Sequence, residues 1–172
     1  MPELALHCRQ EADGLYIAGV AMPWDEEIVY RGRKESFAPG GLKPDEMVPL
    51  RYGHQRDEEG FPIPIGRVVE AVDTDEGLWC DNKLLDVPIA EHAWHAAKDG
   101  LVTGFSAEFR VPGRTGNVGN GRVTDGIMVG LVLTENPAYK GARITNVRAR
   151  TPRLDAWTET IADLKASAPS RT

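Results

Sequence analysis

Ile65-Gly-Arg-Val-Val-Glu-Ala-Val-Asp-Thr-Asp-Glu-Gly-Leu-Trp-Cys-Asp-Asn-Lys-Leu-Leu85 is the stretch whose pattern decides the fold. Ile65 to Val72 carries the apolar alternation of a strand with one buried face. Asp73-Thr-Asp-Glu-Gly77 supplies turn residues ending in glycine, and Leu78 to Leu85 reads as the returning strand. A hairpin at the centre of the chain makes the protein β-rich, and the flanking segments agree. Gly14 to Met22 predicts a strand with a partner near Leu4 to Gln10, and Met47 to His54 a short strand running into the charged loop from Gln55 to Gly60. Val102 to Val111, Ile127 to Leu133 and Ile144 to Arg148 continue the series, the second so apolar that both its faces should be buried. Trp24 to Tyr30 reads as a polar loop, Glu35 to Gly41 ends in turn residues, and Pro112 to Gly121 is a Gly/Asn-rich loop.

Two helices interrupt this pattern. Pro88 to Gly100 has proline in the first turn, Glu91 early, Lys98 late and glycine as the stop, each favoured by capping geometry or by the helix dipole. A second helix follows Pro152, with Leu154, Trp157, Ile161 and Leu164 on one face. The organisation expected is one β-domain over residues 1–150, an amphipathic helix over 151–166 and a disordered tail over 167–172.

At 172 residues, with 41% hydrophobic and 27% charged residues, the chain has the composition of an ordinary soluble globular domain. Its formal charge of −6 offers no global basic field for nucleic acid or an anionic membrane. No segment reaches the roughly 18 apolar residues that span a bilayer, and Met1 to His7 lacks the features of a signal peptide. Cys8 and Cys80 make neither a disulfide framework nor a zinc motif. Cys80 inside Leu78-Trp-Cys80 reads as a small buried hydrophobe in a reducing, cytoplasmic compartment.

Four histidines are available for chemistry. His7 sits in a terminal strand, and His92 and His95 read as surface residues of the first helix, with no third ligand for a metal nearby. His54 follows a short strand and Gly53 at the mouth of a loop, where catalytic groups are often carried. Ser106 lies mid-strand in Gly104-Phe-Ser-Ala-Glu-Phe109, with Phe105 and Phe109 on the opposite face. This is not the G-x-S-x-G nucleophile elbow, because Glu108 takes the final glycine position. By pattern alone, His54 is an exposed histidine and Ser106 a small strand residue, or the two are a nucleophile and its base.

The order of landmarks resembles that of the HK97-type prohead proteases of tailed phages, a family related in fold to the herpesvirus assembly proteases. The segments carrying the resemblance are Gly19-Val-Ala, Glu35-Ser-Phe-Ala-Pro-Gly and Val48-Pro-Leu-Arg-Tyr-Gly-His54. They continue with Pro64-Ile-Gly-Arg-Val, Asp75-Glu-Gly-Leu, Gly104-Phe-Ser-Ala-Glu-Phe and Asn136-Pro-Ala-Tyr-Lys-Gly-Ala. The resemblance implies a mostly antiparallel β-barrel of the herpesvirus-protease type with one or two flanking helices, in an α+β class rich in strands. It implies a serine endopeptidase with Ser106 as nucleophile, His54 as general base and no cofactor. The implied substrate is the major capsid protein or its scaffolding segment, and the chain itself, inside the assembling procapsid in the host cytoplasm. Self-association is compatible with this picture; nucleic acid and membrane partners are not part of it.

Many members of that family carry a glutamate seven residues before the proline of Pro-Ala-Tyr, and here that position is Gly130. Another carboxylate must then substitute, with Glu135 nearest in sequence and Glu108 its rival two residues from Ser106. Otherwise the chain works as a Ser–His dyad, or is a degenerate protease fold that binds capsid protein without cleaving it. Arg143 or a backbone amide is the candidate oxyanion donor.

Overall fold

The computed structural model describes residues 14–56, 58, 60, 62–113 and 121–150, the side chains of residues 54, 55 and 150 excepted. In chain order the elements are β1 (Gly14–Pro23), β2 (Ile28–Tyr30), β3 (Arg33–Phe37), β4 (Leu42–Pro44), β5 (Pro49–Arg56), β6 (Pro62–Asp73) and β7 (Gly77–Leu84). Helix α1 (Pro88–Lys98) follows, then β8 (Gly104–Arg110), β9 (Gly121–Val123), β10 (Gly126–Thr134) and β11 (Ile144–Arg150). The strand expected near Leu4 to Gln10, the helix after Pro152 and the tail at 167–172 lie outside the described residues.

The central hairpin forms as its pattern requires. β6 and β7 pair antiparallel, and the turn is closed by Thr74, whose Oγ1 donates to the Gly77 carbonyl at 2.7 Å while its N–H reaches the same oxygen at 3.0 Å. Around this hairpin the main sheet runs β11-β1-β7-β6-β5-β10-β4, with β8 also paired to β10. β8 covers residues 127–134 of β10, which occupies one edge of that strand; β4 and β5 share the other edge and run parallel to β10. A smaller sheet, β2-β3-β9, packs beside it.

The core lies under these sheets: Ile17, Phe37, Leu50, Ile65, Phe105, Met128, Leu131 and Leu133 are fully buried. Helix α1 lays Ala90, Ala93, Trp94, Ala96 and Ala97 into it, a small-residue face that lets a helix approach a sheet closely. The apolar run of β10 is buried on both sides over Leu131, Val132 and Leu133.

The expectation of a barrel needs correction, because no sheet closes among the described residues. The far ends approach at one isolated bridge, Gly104 to Arg143, flanked by Phe105 N–H on the Ala142 carbonyl and Ile144 N–H on that of Thr103. Closure would need a continuous ladder from β8 to β11. Only the first residues of each strand meet, at a crossing so tight that a side chain on Gly104 would strike the Ala142 carbonyl and lie 2.8 Å from Pro137 Cγ. The polar loop expected over Trp24 to Tyr30 also proves partly structured. Ile28–Tyr30 is a strand, and Arg31 (φ 51°) and Gly32 (φ 76°) turn it into β3 with the two positive φ values of a type I′ hairpin.

Candidate active site

Strands β5, β10 and β8 lie side by side, and their registers align three rows across them. Leu50, Leu131 and Ala107 form one row, Arg51, Val132 and Ser106 the next, and Tyr52, Leu133 and Phe105 the third. The outer rows face the core through Leu50, Leu131, Leu133 and Phe105, as strand alternation demands. The middle row therefore faces the other way. Ser106 stands there, half-buried, with no hydrogen-bond partner among the described side chains. Phe105 and Phe109 occupy the opposite face, the second packed edge-on against Phe37 at 4.8 Å between centroids.

Glu108 shares the face of Ser106, two residues further along β8, and is opposed on β10 by Gly130. The missing side chain at Gly130 is what shapes this site. Arg51 reaches across β10 at that point and makes an ion pair, through Nη1, with Glu108 Oε2. A Cβ on Gly130 would collide with both partners and lie 3.2 Å from Glu108 Cδ. A carboxylate thus occupies the space beside position 130, delivered from the neighbouring strand. The Arg51 side chain is 21% exposed and that of Glu108 48%, and Arg51 Nε is buried with no hydrogen-bond partner among the described residues.

His54 lies on β5, three residues past the Arg51 row. Between them β5 slips out of register with β6, and Gly53 takes a left-handed backbone (φ 56°). This irregularity breaks the strict alternation of the strand before His54. Glu135 stands past the end of β10, exposed, where its carbonyl accepts a hydrogen bond from Thr103 Oγ1 at 3.3 Å. The structure therefore brings Ser106 and Glu108 onto one face and does not bring Glu135 there. Arg143 meets Gly104 through its backbone, but its guanidinium is turned to Glu76 at 2.7 Å and the Gly141 carbonyl at 3.4 Å.

Several sequence landmarks converge behind this face as framework. Tyr139 donates its hydroxyl to buried Glu35 at 2.6 Å, joining Asn136-Pro-Ala-Tyr to Glu35-Ser-Phe. Burial pushes the Glu35 carboxyl above its ordinary range, an effect the Tyr139 hydrogen bond opposes. Burial first, then the bond to Glu35 and the charges of Glu35 and Glu26, push the Tyr139 hydroxyl well above its own. Glu26 accepts the backbone N–H groups of Lys140 at 2.7 Å and Gly141 at 2.9 Å, fixing the same loop.

Elsewhere, Cys80 is a free, buried thiol pushed up to about 12 by burial and then by Asp81. Thiolate chemistry is closed to it near neutral pH. Among the described residues no group of three or more His, Cys, Asp or Glu side chains is placed to hold a metal ion. His92 and His95 are exposed on α1, the first 5.9 Å from the Tyr52 ring and the second 3.9 Å from Glu91. No described helix is long and apolar enough to cross a membrane.

Sequence reading missed Arg51. Its signal was a cation set in the apolar run Val48-Pro-Leu-Arg-Tyr52, matched by a glycine in the apolar run of β10. Each is an anomaly alone, and only the strand order makes them complementary.

The fold, taken by itself, is of a protease-like β type. Among solved structures the chain is similar to the KSHV protease, crystallised in complex with a hexapeptide phosphonate inhibitor. The TM-score is 0.51 at 12% sequence identity, over 91% of this chain and 78% of that one. No family model and no curated protein matches the sequence.

Proposed function

We propose that this chain is a serine endopeptidase of phage prohead maturation, cleaving the capsid protein or its scaffolding segment within the procapsid. The observation that carries the reading is Ser106: a half-buried hydroxyl on the solvent-side face of a strand, in a protease-like fold, with a charged pair beside it. In this mechanism Ser106 Oγ attacks the peptide carbonyl carbon while its proton passes to His54. The C–N bond then breaks, and the leaving amine takes that proton from the imidazolium. Water attacks the resulting ester, gives its proton to His54, and the acid product departs as Ser106 recovers its hydrogen. What supports Glu108 over Glu135 as the third, orienting group is its side chain on the face of Ser106.

The test follows from the chemistry of a phosphonate, a class of inhibitor seen on the KSHV protease. Such reagents form a bond from phosphorus to an activated serine oxygen. The full chain is expected to be labelled covalently at Ser106 by a fluorophosphonate, and Ser106→Ala to abolish labelling. Co-expressed with the capsid protein of its genome, the wild type is expected to shorten that protein and Ser106→Ala to leave it intact. Identical capsid processing by the two chains would sink the reading. Capsid protein bound by both and cut by neither would instead identify a non-cleaving assembly factor, the reading that the glycine at position 130 favours.

A further inference from the structure

We propose that Arg51 is a positioning residue of this site: it holds Glu108 across Gly130, so that a carboxylate carried by β8 serves where β10 has no side chain. The inference rests on the serine-peptidase reading and extends it to residues on three strands. Three independent features carry it. The registers put Arg51 and Ser106 in one row with only Val132 between them. Gly130 leaves a passage over β10 that any side chain would fill, and the ion pair runs through it. Arg51 is confined, with its Nε buried and only 21% of its side chain exposed, so it has few other places to go.

An arginine suits this task better than a lysine, because its planar fork fixes a carboxylate in orientation as well as in distance. The pairing also moderates the carboxylate. A bare carboxylate near the base favours its protonated form, and a guanidinium on that carboxylate offsets part of the effect. Other charged groups are described on the strands around the pair, among them Lys43 of β4, in register with Ile127 of β10 and so with Arg110 of β8. Arg110, next but one on β8, is 3.6 Å from Asp45; Arg67 lies on β6, and His92 of α1 reaches Tyr52 on the other face. β10 carries no charge at all.

The experiment measures the rate at which a fluorophosphonate labels Ser106 in the full chain, as a function of pH. Glu108→Gln is expected to slow labelling roughly 100-fold or more, by analogy with the loss of an orienting carboxylate from a triad. It is also expected to move the midpoint of the profile to lower pH by about half a unit, because on this proposal the carboxylate acts on the base and its negative charge is lost. Arg51→Gln is expected to move the midpoint the opposite way, and Arg51→Lys to return it towards wild type with an intermediate rate. Opposite shifts are the signature, since a loss of folding alone would lower the labelled amount and leave the midpoint in place. Should Arg51→Gln fail to fold, Arg51→Lys against Glu108→Gln decides by the same signs. Unmoved or parallel midpoints at wild-type rates, with labelling still lost in Ser106→Ala, overturn the inference and leave the peptidase reading standing. Labelling indifferent to Ser106→Ala overturns both.

Discussion

Glu35 shows how a sequence landmark can stand in the buried framework of the fold. It is 5% exposed, and its one described side-chain partner is the Tyr139 hydroxyl. Burial raises its pKa above the ordinary 4.5, so the folded chain holds a proton that the unfolded chain has already released. Stability must therefore fall as pH rises from about the unfolded value through the raised folded value, and level off above it. Tyr139→Phe removes the interaction that opposes the shift, which widens that window and leaves a buried acceptor unpaired at a cost of about 1–3 kcal/mol. Glu35→Gln abolishes the titration and should flatten the profile. Urea unfolding of the three proteins between pH 4 and 8 checks this, and an unchanged slope in Glu35→Gln would contradict the assignment.

Legibility at the scale of elements followed the strength of the local signal. The β6–β7 hairpin and α1 were readable because turn chemistry, alternation and capping residues agree within each segment. β2, β4 and β9 were not, since each is three residues long and too short for a period to show. The β2–β3 turn was hidden as well, because Arg31 occupies a left-handed position where Asn or Gly is the usual sign. One imperfection in the readable helix yields a prediction. Its N-cap, Val87, has the extended backbone of a cap (φ −142°, ψ 149°) but no side chain able to accept a hydrogen bond from the first turn. Val87→Asp supplies that acceptor and a negative charge at the positive end of the helix. The expected gain is about 1 kcal/mol, or roughly 2–4 °C in Tm for a chain of this size. Thermal melts against Val87→Ala measure it, and equal melting temperatures would refute it.

The arrangement of the whole molecule was the least legible level, for a physical reason. The site depends on β5, β10 and β8 being neighbours, and Arg51 and Glu108 are 57 residues apart in the chain; nothing local in either strand specifies the other. Ser106 and His54 were singled out by the order of landmarks, whereas the Arg51–Glu108 pair required the strand order itself. The barrel that the family resemblance implied does not close among the described residues, because an order of landmarks predicts strands but not whether the last one finds the first. One tie between the small sheet and the large one is an aromatic junction: Phe37 of β3, fully buried, stands edge-on to Phe109 of β8 and 6.1 Å from the Tyr139 ring. Phe109 is three residues from Ser106 on the same strand, so this junction anchors the strand that carries Ser106. Phe37→Ala would open a cavity between the sheets and is expected to cost about 3–5 kcal/mol, with Phe37→Leu recovering more than half because it refills most of the volume. If the sheets form one cooperative unit, urea unfolding of Phe37→Ala shifts its midpoint with the slope retained, and circular dichroism and Trp fluorescence change together. A loss below about 1 kcal/mol, or two separated transitions, would mean that the small sheet is an appendage that does not anchor β8.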